Sequence, residues 1–328
     1  MPDIVCLGIL VADVLVKPVD QFPAVGSLQF VEDLSIHSGG CALNTGIALH
    51  KLGMDVHVWG QVGQDPFGDF LLDTLREAGL EVTGVERILR GTSTSVGLIS
   101  HDGERTFLHY VGANATEPEH WSHWPNLPPA RHLHIGGAFL LPGLDGEAMA
   151  RLLADAKQRG MTTSVDTAYD GSGRWLDLLG PSLPYVDYFL PSEREAAALT
   201  KESTPELQSE RLLALGVGTC GIKLGAGGCY LASGSERWRL PVLPVPVQDT
   251  TGAGDAWVAG FLAARLQGWP LPAAGLWGNA QGAAAVQAVG ASQGVRDSEG
   301  LRALLRQYGR DEELVRYLTH LTGEGAVF

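Results

Sequence analysis

Apolar positions change their period repeatedly along the chain. Residues 4–10 form an unbroken run rich in β-branched side chains, the pattern of a parallel strand covered on both faces. Residues 27–35 instead alternate apolar and polar, as a strand with one exposed face does. A helical period over 42–52 stops at Gly53, a strand follows over 55–62, and Asp65-Pro66 opens a helix that reaches 78 and stops at Gly79. Two alternating runs between 95 and 110 flank His101-Asp102-Gly103-Glu104, whose Asp-Gly centre predicts a hairpin. From 131 the alternation of strand and helix resumes, with strands to 135 and over 162–166 and 186–190, and a helix over 145–159. A helix follows Ser192, another spans 205–215, and a strand over 220–224 turns back through Gly225-Ala226-Gly227-Gly228 onto 229–232, with 236–240 extending that antiparallel edge. Ala-rich helices over 254–267 and 272–289 and two amphipathic ones over 301–308 and 312–321 close the chain.

This order predicts a single α/β domain over 1–328, a mostly parallel sheet flanked by helices. A small β lid, at approximately 14–36 and 94–111, is inserted in it, and 298–328 forms a helical extension. Composition narrows the function classes. The 23 Lys and Arg against 37 Asp and Glu leave a net charge of −14, a field that repels nucleic acid and anionic membrane surfaces. No run approaches the ~18 apolar residues of a membrane span. The first residues lack a basic flank and carry Asp3 and Asp13, unlike an export signal. Cys6, Cys41, Cys220 and Cys229 form no C-x-x-C pair, which suits reduced thiols and a cytoplasmic location.

The most informative stretch is DTTGAGDAWVAGF at 249–261, which follows the apolar run 242–247 and opens a long helix. Its glycines let successive backbone N–H groups converge at a helix N-terminus, a ready anion site. Asp255 in the first turn would then lie beside a bound phosphate, where a carboxylate serves to remove a proton from an attacking hydroxyl. Taken alone, the stretch also fits a plain Gly-rich turn with Asp255 complementing the helix dipole. No Gly-Lys dipeptide occurs, so there is no P-loop, and GAGDAWVAG breaks the G-x-G-x-x-G spacing of a dinucleotide fold. His132-Leu133-His134 points two imidazoles to one strand face without a companion cluster, which fits polar packing at a strand edge better than a metal.

Further segments carry a family resemblance. SGGCALN at 38–44, GQVGQDPFG at 60–68, Asp13 after the first strand, PSERE at 191–195, KLGAGG at 223–228, Asn279 before an Ala-rich stretch and DTTGAGD itself occur in one order between about 4 and 297. Together they resemble the ribokinase-like (PfkB) carbohydrate kinases. The resemblance implies a ribokinase-like α/β fold and phosphoryl transfer from ATP to a hydroxymethyl group. Asp255 would be the base, and the amides of Gly252, Ala253 and Gly254 the anion hole. It further implies Asp13, Gly39, Gly40 and Asn44 as contacts to the acceptor, and Lys223, Gly225, Gly228 and Asn279 at the nucleotide. Glu195 would hold Mg²⁺ through water, with Ser192 where the family has Asn, and Asp249 and Thr251 would face a monovalent cation such as K⁺. Ser192 and Glu195 equally form a capping box, and Asn44 and Asp65 are equally helix caps.

Two rival functions share these signatures: a nucleoside kinase of the same fold, and a catalytically silent sugar-binding regulatory module. The intact Asp255 opposes the second. After His134 the run GGAFL lacks the acidic residue expected of a close ribokinase, which disfavours ribose. The lid strands offer Leu28, Phe30, Val96, Leu98, Phe107 and Leu108 as apolar surface, and the resemblance implies a homodimer clasped through two lids.

Overall fold

A computed structural model of the chain describes residues 1–102, 104–115 and 128–319. Its centre is β1 (Ile4–Gly8), all five residues of which are buried, as the unbroken apolar run requires. Parallel neighbours cover both of its edges, β4 (Val56–Gly63) and β8 (His132–Ala138). The sheet continues beyond β8 through β9 (Thr162–Thr167), β10 (Tyr188–Phe189) and β11 (Thr219–Lys223), and beyond β4 to β5 (Val85–Ile88). Antiparallel β12 (Cys229–Ser233) and β13 (Glu236–Leu240) complete nine strands. β5 escapes the sequence pattern because Val85-Glu86-Arg87-Ile88 is too short to alternate visibly. β10 keeps only two of the five residues expected of it, Tyr188 and Phe189.

Helices cover both faces and bury two separate cores. On one side lie α1 (Cys41–Lys51), α2 (Pro66–Glu77), α6 (Ala253–Leu266), α7 (Leu271–Ala285), α8 (Ser298–Gln307) and α9 (Asp311–Thr319). On the other lie α3 (Glu147–Gln158), α4 (Glu193–Thr200) and α5 (Pro205–Ala214). The Ala and Gly content of α6 and α7 has a packing cause. A Cβ on Gly260 would stand 2.9 Å from the Trp277 carbonyl, and one on Gly278 3.0 Å from that of Trp257, so small residues let the two backbones touch. The expected reach of α9 to Leu321 passes outside the described residues. No helix among the described residues is long and apolar enough to cross a membrane, and the four cysteines are free.

The lid is a four-stranded sheet, not the three expected, in the order β3-β2-β6-β7. Its extra strand is β2 (Val11–Lys17), which follows β1 closely and which no run in the sequence marks as a separate strand. The break between them comes at Gly8, where a Cβ would lie 1.9 Å from the Gly136 carbonyl oxygen and only glycine passes. The expected strand over 27–35 is displaced, because pairing starts at β3 (Asp33–Gly39) and leaves 27–32 outside the ladder. β6 (Thr94–Ile99) and β7 (Arg105–Tyr110) form the predicted hairpin, whose Gly103 lies outside the described residues.

Pairing in register sorts the lid's side chains onto two faces. One carries the cross-strand set Ile36, Val14, Val96 and Leu108. The other carries His37, Asp13, Ser95 and His109, and turns toward the body of the fold, where Asp13 comes within electrostatic reach of Asp255. Phe107 sits on this inner face, apart from the outer set the sequence grouped it with.

Candidate active site

Loop 249–252 delivers the chain into α6. Gly252 caps that helix at φ 71°, and a Cβ there would meet the Ala291 carbonyl oxygen at 2.5 Å, so glycine is required twice over. Asp255 follows in the first turn and accepts a 2.7 Å hydrogen bond from Asn44 Nδ2. Asn44 belongs to the first turn of α1, which begins after Gly40 at φ 94°. A Cβ on Gly40 would stand 2.4 Å from the Ile9 carbonyl oxygen. Two helix N-termini therefore meet at one carboxylate, and both favour negative charge there. Asn44 is buried and its Oδ1 has no partner among the described residues, an orphaned acceptor suited to a hydroxyl donor.

Beside this junction Lys223 ends β11, and its Nζ lies 2.6 Å from Asp166 Oδ1 at the end of β9, a pair almost wholly out of solvent. A Cβ on Gly254 would stand 3.5 Å from the same ammonium, which places the cation next to the opening of α6. Ligating atoms of Cys41, Asp166 and Asp255 all lie within 4.8 Å of one another. Glu195 Oε2 accepts from Thr167 Oγ1 at 2.9 Å and from the Ser192 N–H at 2.8 Å, and Ser192 caps α4 in return. Glu195 is thus a helix cap and a lining group of the cleft together.

Electrostatics follow from this crowding. Burial pushes Asp255 above the ordinary carboxylate range, against the pull of the Asn44 hydrogen bond and the Lys223 charge. Burial lifts Asp166 to about 7 against Lys223. Burial opposes the charge of Lys223 too, but Asp166, Glu195 and Asp255 outweigh it and hold the ammonium above the usual lysine value. Burial and then the charges of Asp255 and Asp166 keep the Cys41 thiol protonated. Three carboxylates against one ammonium leave a surplus of negative charge, which a hydrated Mg²⁺ fits.

A cleft of about 670 Å³ opens from this cluster, lined by Asp166, Glu195, Lys223, Gly225, Gly228 and Asp255. Gly228, at φ 84°, lies against the Leu240 carbonyl, and a Cβ there would come within 2.0 Å of its oxygen. Asn279 lines the cleft, yet its amide is already engaged: Oδ1 accepts from Trp257 Nε1 at 2.8 Å and Nδ2 donates to the Leu240 and Pro241 carbonyls. Asp249 accepts from the Thr251 and Gly290 N–H groups at 2.8 and 2.9 Å, pinning the loop before α6 to the loop after α7. Asp13 and Gly39 sit on the lid strands β2 and β3, where a Cβ on Gly39 would fall 2.1 Å from Asp13 Oδ2. Asp65 caps α2, accepting from the Gly68 N–H. His132 and His134 lie on a central strand, not an edge, buried against Thr162 and Ser164.

The family model described as pfkB family carbohydrate kinase matches residues 1–297. The chain belongs to this family. Within it, the chain is 29% identical over 293 residues to 2-dehydro-3-deoxygluconokinase of Bacillus subtilis (strain 168), covering 85% of this chain and 90% of that one. It is 30% identical over 258 residues to fructoselysine 6-kinase of Escherichia coli (strain K12), covering 77% and 91%. The structure superposes on ribokinase from Thermotoga maritima with a TM-score of 0.80 at 26% identity, over 93% of this chain and all of the other. The protein is a carbohydrate kinase, a phosphotransferase with an alcohol acceptor. All of α8 and all of α9 lie beyond the matched residues.

Two groups of this pfkB site escaped the reading of the sequence as site residues, Asp166 and Cys41. For Asp166 a signal exists: a carboxylate at the C-terminal end of a buried parallel strand is where α/β sheets collect their ligands. Cys41 sits inside the quoted SGGCALN segment with nothing but its neighbours to mark it.

Proposed function

We propose that this carbohydrate kinase moves the γ-phosphoryl group of ATP onto a hydroxymethyl group of a sugar or sugar derivative, with Asp255 as base. The observation that carries the reading is the position of Asp255, between two helix N-termini, bonded to Asn44 and flanked by Lys223. The acceptor hydroxyl would give its proton to Asp255, whose burial makes it more basic than an exposed carboxylate. In a loose transition state the charge spreads over the equatorial oxygens, where Gly252 and Gly254 supply backbone N–H donors. The Ala253 N–H is shared with the Thr250 carbonyl at 3.3 Å and contributes less. Lys223 adds a fixed cation at the same end of the helix. Mg²⁺, when bound, neutralises phosphate charge, and Glu195 with Asp166 would orient its water shell.

Asn44, Asp13, Gly39 and Gly40 would frame the acceptor, with the Asn44 Oδ1 taking a hydroxyl. The 225–228 turn would follow the nucleotide. The engaged amide of Asn279 favours a part in shaping the cleft wall over a bond to adenine. The bonds of Asp249 to backbone N–H groups likewise favour a structural role over direct coordination of a monovalent cation. The assay is ADP release with Mg-ATP against pentoses, hexoses, keto-deoxy sugar acids, fructoselysine and nucleosides. One sugar or sugar acid should far outrun water and every nucleoside. A nucleoside as best acceptor sinks the sugar reading, and ADP release indifferent to all of them sinks the kinase site.

Glu195→Gln is expected to raise the Mg²⁺ concentration needed for half-maximal rate more than it raises the acceptor KM. If only the melting temperature falls, Glu195 is a cap and nothing more. The outer lid face, with Ile36 and Leu108 each about half exposed and Phe30 further out, supports a homodimer joined lid to lid. Light scattering at micromolar protein should then show a dimer that Ile36→Lys dissociates. A monomer at the outset, or a dimer indifferent to that change, removes the lid contact.

A further inference from the structure

The inner face of the lid carries a polar row that spans all four strands. Strand pairing places His37 opposite Asp13, Asp13 opposite Ser95, and Ser95 opposite His109. Ser95 Oγ lies 3.0 Å from His109 Nδ1, and strand pairing sets the same hydroxyl beside the Asp13 carboxylate, where a bond from it favours the ionised form. Two residues further along the same face come Ser35, Leu15, Gly97 and Phe107, where the one side-chain polar atom, Ser35 Oγ, is already engaged by His37. Polar side chains on a lid are ordinarily just solvated, but Ser95 is 9% exposed and Asp13 is wedged against Gly39.

One proton decides the direction of the bonds. Ser95 has a single hydroxyl hydrogen, and its bond favours the ionised form of Asp13, so Ser95 donates to Asp13. The bond to His109 must then run from the ring to the hydroxyl oxygen, which fixes a proton on Nδ1 and leaves Nε2 bare while the ring is neutral. Burial holds His109 below the ordinary imidazole value, which keeps that ring neutral at pH 7.

We propose that Ser95 and His109 are positioning residues for the acceptor, a relay that holds the Asp13 carboxylate ionised and aimed as a double hydrogen-bond acceptor for neighbouring sugar hydroxyls. The inference rests on Asp13 as an acceptor contact. The relay has work to do because Asp13 is opposed on two sides: burial, and then the charge of Asp255, push it up to about 6, and only the Ser95 bond pulls back. The titratable groups facing Asp13 are Asp255 from α6, His37 from β3 and His109, through Ser95, from β7. His37 turns to other partners, with Nε2 2.9 Å from Ser35 Oγ and its ring beside Gly290.

The first arm of the test needs no turnover, so it stands or falls apart from the kinase assay. In ¹³C-carboxyl-labelled protein, with the Asp13 signal assigned through Asp13→Asn, the Asp13 titration midpoint should move to higher pH in Ser95→Ala and His109→Leu. His109→Asn, whose amide replaces the Nδ1 donor, should restore it. Long-range ¹H–¹⁵N spectra of labelled histidine should show His109 with a bare Nε2. In the second arm, with 2-dehydro-3-deoxygluconate and D-ribose as probe acceptors, Ser95→Ala should raise the KM of whichever is turned over by roughly tenfold. The ATP KM and kcat should hold, and the acid limb of kcat/KM should shift to higher pH. An unmoved Asp13 midpoint, a proton on His109 Nε2, or an unchanged acceptor KM overturns the relay.

Discussion

Asp255→Asn is expected to bind Mg-ATP nearly as the parent does while turnover falls by ~10²-fold or more. The exchange is isosteric, and the substituted side chain keeps an oxygen to accept from Asn44 Nδ2, so the junction of α1 and α6 stays closed. What disappears is the group that receives the acceptor proton. Stability should move the other way. A carboxyl whose folded pKa lies above its unfolded value binds more protons in the folded state, so at neutral pH its charge opposes folding. Removing that charge should raise the melting temperature at pH 7, and the gain should shrink as pH falls toward the unfolded carboxylate value. Turnover within a few-fold of the parent, or a matching loss of stability, would take Asp255 out of the role of base.

Lys223→Met should be the most destabilising single change in the site. The ammonium faces Asp166, whose side chain is 3% exposed, with Glu195 and Asp255 close enough to feel it. Taking one partner from a buried pair costs about 3–5 kcal/mol, because the remaining charge stays out of water. With the cation gone, the already raised Asp166 pKa rises further, so the folded state holds a proton that the unfolded chain releases. The loss should therefore be larger at pH 8 than at pH 5 in denaturant titrations. Asp166→Asn in the same chain should recover part of it. Equal midpoints for parent and variant at both pH values would contradict the buried pair.

What the sequence could show follows from where the information sits. The β1 run, the Asp65-Pro66 start, the capping box at Ser192 and the Gly-rich entry to α6 are local patterns, and each matches an observed element. The lid was harder because its order is not local. β2 pairs in parallel with β6, some eighty residues later, and no period within 11–17 announces a separate strand. The same holds in the site. Asp255 is legible from the helix it opens, but its partners Asn44, Lys223 and Asp166 come from three other elements, and only the fold shows that Lys223 balances Asp166. Asn279 fits a family position by order along the chain, whereas its hydrogen bonds to Trp257, Leu240 and Pro241 appear only when α6, α7 and β13 are packed.

The central claim is that the cleft delivers a phosphoryl group to a primary hydroxyl of a sugar brought under Asp255. Proton-coupled ³¹P NMR of the product formed from Mg-ATP and the best acceptor reads this bond directly. Phosphorus on a CH₂–O group couples to two protons, so the account predicts a triplet phosphomonoester signal that appears with ADP and is all but absent with Asp255→Asn. A doublet, from a ring or anomeric carbon, or inorganic phosphate as the sole product, would contradict it.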